Sequence, residues 1–134
     1  QAVLPEKVGG WTAVNQAKEA GDRGEAAAAR YLQSRGCEIL DRQWRCRYGE
    51  LDLVSRTGDG ILCFVEVKLR STRSSARPRE FVDARKRTRL RRTAAMYLSL
   101  HGLEDLPARF DVAEVYLDEA GRICRMEYME SAFE

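Results

Sequence analysis

Apolar positions along this chain change their period several times, and each change marks an element. Across residues 18–35, Ala20, Gly24, Ala27, Ala28, Tyr31 and Leu32 recur at helical spacing, and Gly36 stands where a helix would stop. Residues 37–44, 50–56 and 61–69 then read as strands, the last two joined as a hairpin across Thr57-Gly58-Asp59-Gly60. Helical period returns over 81–101, with Leu90, Ala94, Tyr97 and Leu98 facing inward, Arg85, Arg89 and Arg92 facing out, and Gly102 as the stop. Two more strands, 110–117 and 122–129, flank Asp118-Glu119-Ala120-Gly121. Residues 1–17 carry no period and read as a flexible lead-in, and the polar, basic stretch 71–79 as a flexible loop. The prediction is one α/β domain, 18–134, in the order α-β-β-β-α-β-β. A right-handed crossover through the second helix lays the fourth strand parallel to the third, giving a mixed central sheet with flanking helices.

Charge sharpens this picture because its total misleads. The 134 residues carry 23 Lys and Arg against 21 Asp and Glu, a net charge of +2. Residues 67–92 alone hold eleven basic side chains and two acidic ones, while residues 93–134 hold three basic and nine acidic. A field so lopsided draws a polyanion to one face, and most of the basic cluster is Arg, which can grip phosphate through two hydrogen bonds at once. Cys37, Cys46, Cys63 and Cys124 contain no C-x-x-C pair, and His101 has no neighbouring ligand, so no zinc spacing is present. Reduced cysteines, the absence of a long apolar run and a start without signal-peptide character lead to an expectation of a cytoplasmic protein with no membrane partner.

The third strand holds the chemistry. Ile61-Leu62-Cys63-Phe64-Val65-Glu66-Val67-Lys68-Leu69 is apolar enough to be buried on both faces, yet it carries two charges, which must be paired or used. Alternation puts Glu66 and Lys68 on one face. Asp52 is a third charge, in the apolar run Leu51-Asp52-Leu53-Val54. A three-residue loop 58–60, with Gly60 in the left-handed position, pairs Thr57 with Ile61 and so Asp52 with Glu66. Opposed carboxylates repel each other unless a divalent cation lies between them. Asp52 and Glu66 are therefore candidate ligands for Mg2+ or Mn2+, and Lys68 a candidate for positioning water or stabilising developing charge. A buried salt-bridge cluster is the alternative reading. Glu25 shares a helix face with Gly21, Ala28 and Leu32, where a core residue is expected; it is either a fourth member or an ordinary first-turn acid.

The segments Gly24-Glu25, Tyr31-Leu32, Gln43-Trp44-Arg45, Gly49-Glu50-Leu51-Asp52-Leu53-Val54, Phe64-Val65-Glu66-Val67-Lys68-Leu69-Arg70 and Arg109-Phe110-Asp111-Val112 resemble, in order and spacing, the YraN-like family of predicted bacterial endonucleases. That family is similar to archaeal Holliday junction resolvases and to the wider PD-(D/E)xK nucleases. The resemblance covers about residues 18–129. It implies a restriction-endonuclease-like fold and hydrolysis of DNA, including branched or junction DNA. It further implies Asp52 and Glu66 as metal ligands, Lys68 as the catalytic lysine and Glu25 as a supporting acid. By analogy with resolvases, a homodimer would supply two active sites. Leu51 replaces the Pro of the superfamily motif, and Gln43 stands where the family is expected to have Asn. Arg45, Arg70, Arg73, Arg77, Arg85, Lys86, Arg89 and Arg92 are the candidate nucleic-acid contacts. A solvated helix face is the other reading of the basic run.

Overall fold

A computed structural model describes residues 13–72 and 82–134. Among these the chain runs α1 (Ala13–Ser34), β1 (Glu38–Cys46), β2 (Gly49–Arg56), β3 (Leu62–Ser71), α2 (Ala84–His101), β4 (Ala108–Leu117) and β5 (Ile123–Phe133). The five strands form one sheet in the order β1-β2-β3-β4-β5. Pairing is antiparallel except between β3 and β4, which run parallel from Leu62 opposite Ala108 to Ser71 opposite Leu117. The protein is thus mixed α/β with a five-stranded sheet and two helices. No helix among the described residues is long and apolar enough to cross a membrane.

The sheet separates two apolar clusters. Ala28, Ala29 and Leu32 of α1 pack with Leu53, Cys63, Val65 and Ala113, whereas Leu90, Ala94 and Tyr97 of α2 pack with Leu51, Val54, Leu62, Phe64 and Val112. Successive β3 residues therefore feed alternate clusters, which is why this strand reads as a continuous apolar run. Gly24 allows α1 to approach the far end of β3 closely: a Cβ there would stand 2.7 Å from Leu69 Cδ2. The next residue is Glu25.

One expectation is corrected. The helix begins at Ala13, so residues 13–17 are not part of a flexible lead-in. Residues 15–19 are exposed, so no apolar period could announce this turn; Lys18–Asp22 and Glu19–Arg23 pairs at i, i+4, 3.3 and 3.7 Å long, support the helix just after it. Residues 1–12 and 73–81 lie outside the described residues, and with them Arg73, Arg77 and most of the expected basic loop 71–79.

The β2–β3 hairpin has the register that its loop residues predict. Leu53 lies opposite Val65 and Arg56 opposite Leu62. The Thr57 N–H donates to Ile61 O at 2.9 Å, and Gly60 takes a φ of 87°, a backbone region that a Cβ disfavours.

At the same end of the sheet, Asp111 of β4 is fully buried but fully engaged. It accepts from both Arg109 Nε, at 3.1 Å, and Tyr128 Oη, at 2.6 Å, and from the Ser131 N–H at 2.9 Å where β5 bulges. The pairing of Arg109 with Asp111 ties β4 to itself and, through Tyr128 and Ser131, to β5. Asp111→Ala would leave the Tyr128 hydroxyl and the Ser131 N–H without their acceptor and the part-buried Arg109 with Glu130 alone, and is expected to lower the unfolding free energy by about 2–4 kcal/mol in urea titrations.

Candidate functional site

Beyond Leu53 opposite Val65 the β2–β3 ladder stops, and the strands part. The Val67 N–H would be left without a partner at this fork. Asp52 Oδ2 accepts it at 2.8 Å, so a side chain takes the place of the missing rung. On its other side β2 is irregular too. Arg42 pairs with Leu53 and Trp44 with Leu51, but Gln43, between them, has a φ of 49°. That left-handed turn breaks the alternation of side chains: Leu51 and Val54, three residues apart, reach the same cluster beneath α2. Asp52 sits at this break in alternation, where the register itself is unchanged, and lines cavities on both sides of the sheet.

Two cavities meet at Asp52. The one beside α2, about 280 Å³, is lined by Glu50, Asp52 and Glu66 and by Lys86, Arg89 and Thr93 of the helix. The one beside α1, about 450 Å³, is lined by Asp22, Glu25, Gln43, Arg45, Glu50 and Asp52. Burial and, second, the charge of Glu66 push the Asp52 carboxyl up to about 7, against the pull of the Val67 N–H. Burial also raises Glu25, which Gln43 counteracts and Asp22 and Glu50 reinforce. Gln43 Nε2 spans Asp22 Oδ1 at 2.9 Å and Glu25 Oε2 at 3.2 Å, tying α1 to the kink in β1.

The expected site residues are distributed unevenly. Asp52, Glu66 and Glu25 act on one electrostatic centre. Glu66 is paired with Lys86, Nζ to Oε1 at 2.9 Å. Lys68 shares the face of Glu66 by alternation and lies opposite the buried Glu114, but it lines neither cavity, and among the described residues its ammonium makes no ion pair. Arg45 pairs with Glu50 at 2.8 Å on the rim. Arg85 and Arg92 are exposed on α2, and Arg89 faces the α2-side cavity.

Arg70 departs from its expected role as an open phosphate contact. Its Nε lies 2.9 Å from Oε2 of Glu114, a carboxylate only 1 % exposed, so this guanidinium is turned into the sheet. The buried acid on β4 claims it.

Asp22 and Gln43 belong to the site without having been singled out for it, and Glu50, whose parity with Asp52 allows a place in the site but which reads more readily as an exposed edge charge, joins them. Their signals were present as spacing: Asp22 and Glu25 at i, i+3 on one helix, and Glu50 and Asp52 at period two on a strand. His101, assigned no chemistry, stacks on Tyr97 with ring centroids 3.9 Å apart, away from the fork.

Fold and site together define a mixed α/β protein whose sheet splits at a carboxylate-rich fork beside a basic helix. The chain belongs to the uncharacterised protein family UPF0102, whose pattern matches residues 24–115. That span includes Glu25, Asp52, Glu66 and Lys68. A UPF0102 protein of Moorella thermoacetica is 47% identical over 113 residues, covering 84% of this chain and 93% of its own. One from Pelotomaculum thermopropionicum has the same identity and coverage. One from Myxococcus xanthus is 38% identical over 117 residues, 87% of this chain and 90% of its own. Among solved structures, the Ca2+ complex of Pyrococcus furiosus SfsA aligns with 85% of this chain and 63% of its own, at 16% identity and a TM-score of 0.40, too low to establish a common fold.

The raised Asp52 carboxyl gives stability a definite pH dependence. Its folded value, about 7, lies above the ordinary 3.8, so the folded state holds the proton more tightly. The resulting stabilisation is complete below the unfolded value and is lost as pH rises through the folded one. Asp52→Asn cannot ionise and keeps an oxygen for the Val67 N–H. In metal-free buffer it is expected to exceed wild type in stability by ~1–3 kcal/mol near pH 8, with the gap closing near pH 4. Urea unfolding at the two pH values measures this.

Proposed function

We propose that this protein is a metal-dependent endonuclease that hydrolyses DNA phosphodiester bonds, with branched or junction DNA among its substrates. The observation that carries the reading is the fork itself: Asp52 and Glu66 converge in a cavity whose opposite wall presents Lys86 and Arg89. An acidic floor beneath a cationic wall suits a divalent ion and a phosphate group side by side.

The donor set fits Mg2+ or Mn2+. These ions take one or two carboxylates and complete their shells with water and substrate oxygens. Among the described residues no three His, Cys, Asp or Glu side chains are grouped to hold an ion, so the side-chain ligands would be two, Asp52 and Glu66. When bound there, the ion supplies Lewis-acid polarisation of a phosphodiester oxygen and makes a nearby water more acidic. The protein's own part is positional. The Val67 N–H orients the Asp52 carboxylate, Arg89 receives a phosphate at the cavity wall, and Lys68, on the face of Glu66, stabilises charge on the leaving side. Glu25, held by Gln43, keeps the α1 side of the fork acidic. Arg85 and Arg92 extend the basic wall along α2 and contact the backbone of the duplex. Two active sites for the two strands of a junction call for a homodimer.

The test is cleavage of supercoiled, duplex, single-stranded and four-way-junction DNA with Mg2+ or Mn2+. Asp52→Ala, Glu66→Ala and Lys68→Ala are each expected to lower the rate on the order of a hundredfold or more. Activity equal to wild type in all three would overturn the assignment.

A second reading, a nucleic-acid-binding module of the same fold without catalysis, draws on the absence of a three-ligand group among the described residues. It expects binding that survives those substitutions and never a nick. Both readings place the duplex on α2. Combined Arg85→Glu, Arg89→Glu and Arg92→Glu is therefore expected to weaken DNA binding and to reduce the slope of log affinity against log salt by about two to three, as measured by fluorescence anisotropy.

A further inference from the structure

Glu66 is the less exposed partner of a pair that already contains a cation. Its side chain is 12% exposed, and Lys86 Nζ lies 2.9 Å from Oε1. Lys86 is set there by the start of α2: the Asp83 side chain accepts the Lys86 N–H at 2.8 Å and caps the helix, fixing the root of the lysine over the fork. Its side chain, 38% exposed, runs along a cavity that also contains Arg89, so the ammonium has a second direction in which to turn. With neither a metal nor Lys86, Glu66 would face Asp52 with no cation beside the pair; in the metal-free fork Lys86 supplies that cation.

We propose that Lys86 is an exchangeable internal cation: it neutralises Glu66 while the fork is metal-free, and a divalent ion displaces it, freeing the ammonium to meet a phosphate of the incoming nucleic acid. This rests on the metal-site reading above and adds regulation to it. Ion and ammonium compete for one carboxylate, so metal loading and phosphate capture become a single linked event. The pair is partly exposed and its attraction modest, so displacement needs no large rearrangement.

Calorimetric titration of the full chain with Mn2+ tests the exchange. Lys86→Met removes the competitor and is expected to bind Mn2+ about three- to tenfold more tightly than wild type, with Asp52→Asn abolishing uptake in both backgrounds. A second measurement avoids mutation of the resting protein. In heteronuclear spectra of wild type labelled at lysine Cε and Nζ, one ammonium resonance, assigned by its loss in Lys86→Met, is expected to shift in step with Mg2+ uptake. Asp52-dependent Mn2+ binding that is unchanged or weaker in Lys86→Met, or a stationary Lys86 signal at saturating Mg2+, overturns the exchange alone. Absence of Asp52-dependent uptake in both proteins overturns the exchange and the metal-site reading together.

Discussion

The bond from the Val67 N–H to Asp52 is the constraint on which the site depends. Strands β2 and β3 are paired near their loop and parted at their other ends, and a parted strand leaves backbone donors that must find acceptors. Filling that vacancy with a carboxylate puts a negative charge inside the sheet. Glu66 follows on the facing strand, and together they make a small region where like charges are held close by backbone geometry. Such an arrangement is unfavourable in an isolated fold and becomes favourable when a cation is present.

The kink at Gln43 makes the fork accessible from both faces. A regular β1 would have buried Asp52 beneath one helix. Because Gln43 takes a left-handed backbone, Trp44 and Leu51 turn toward α2, and the Gln43 amide reaches α1. Two helices on opposite faces of the sheet thereby border one carboxylate: α1 contributes Glu25 and Asp22, and α2 contributes Lys86 and Arg89. The near-neutral total of the chain conceals this division into acidic and basic walls.

Most of the architecture was legible from sequence because it rests on periodicity. The apolar runs of β2 and β3, the loop that ends in Gly60 and the two-sided α2 each have a direct pattern, and the hairpin register followed from loop length. Features set by tertiary partners were not legible. No apolar period marks the start of α1, where residues 15–19 are exposed. The inward turn of Arg70 depends on Glu114, forty-four residues away, and in sequence Arg70 looks like its basic neighbours. Glu50, near the start of β2, lines both cavities through the fold around Asp52, which spacing alone does not announce. Asp52 and Glu66 stood out because a charge in an apolar strand is anomalous whatever the surroundings.

The strand pairings also separate the two walls of the site by their distance along the chain. Leu53 and Val65 are twelve positions apart in the chain, whereas Leu62 and Ala108 are forty-six apart, with α2 between them. Contacts over short separations close with less loss of chain entropy and form readily; distant ones wait. The hairpin that brings Asp52 toward Glu66 is therefore the local half of the site, and the helix that carries its cations is the more distant half in sequence. The acidic side of the fork rests on short-range pairing, and its counter-charges rest on the tertiary docking of α2, so loss of that docking alone would leave the carboxylates together without Lys86 and Arg89 beside them.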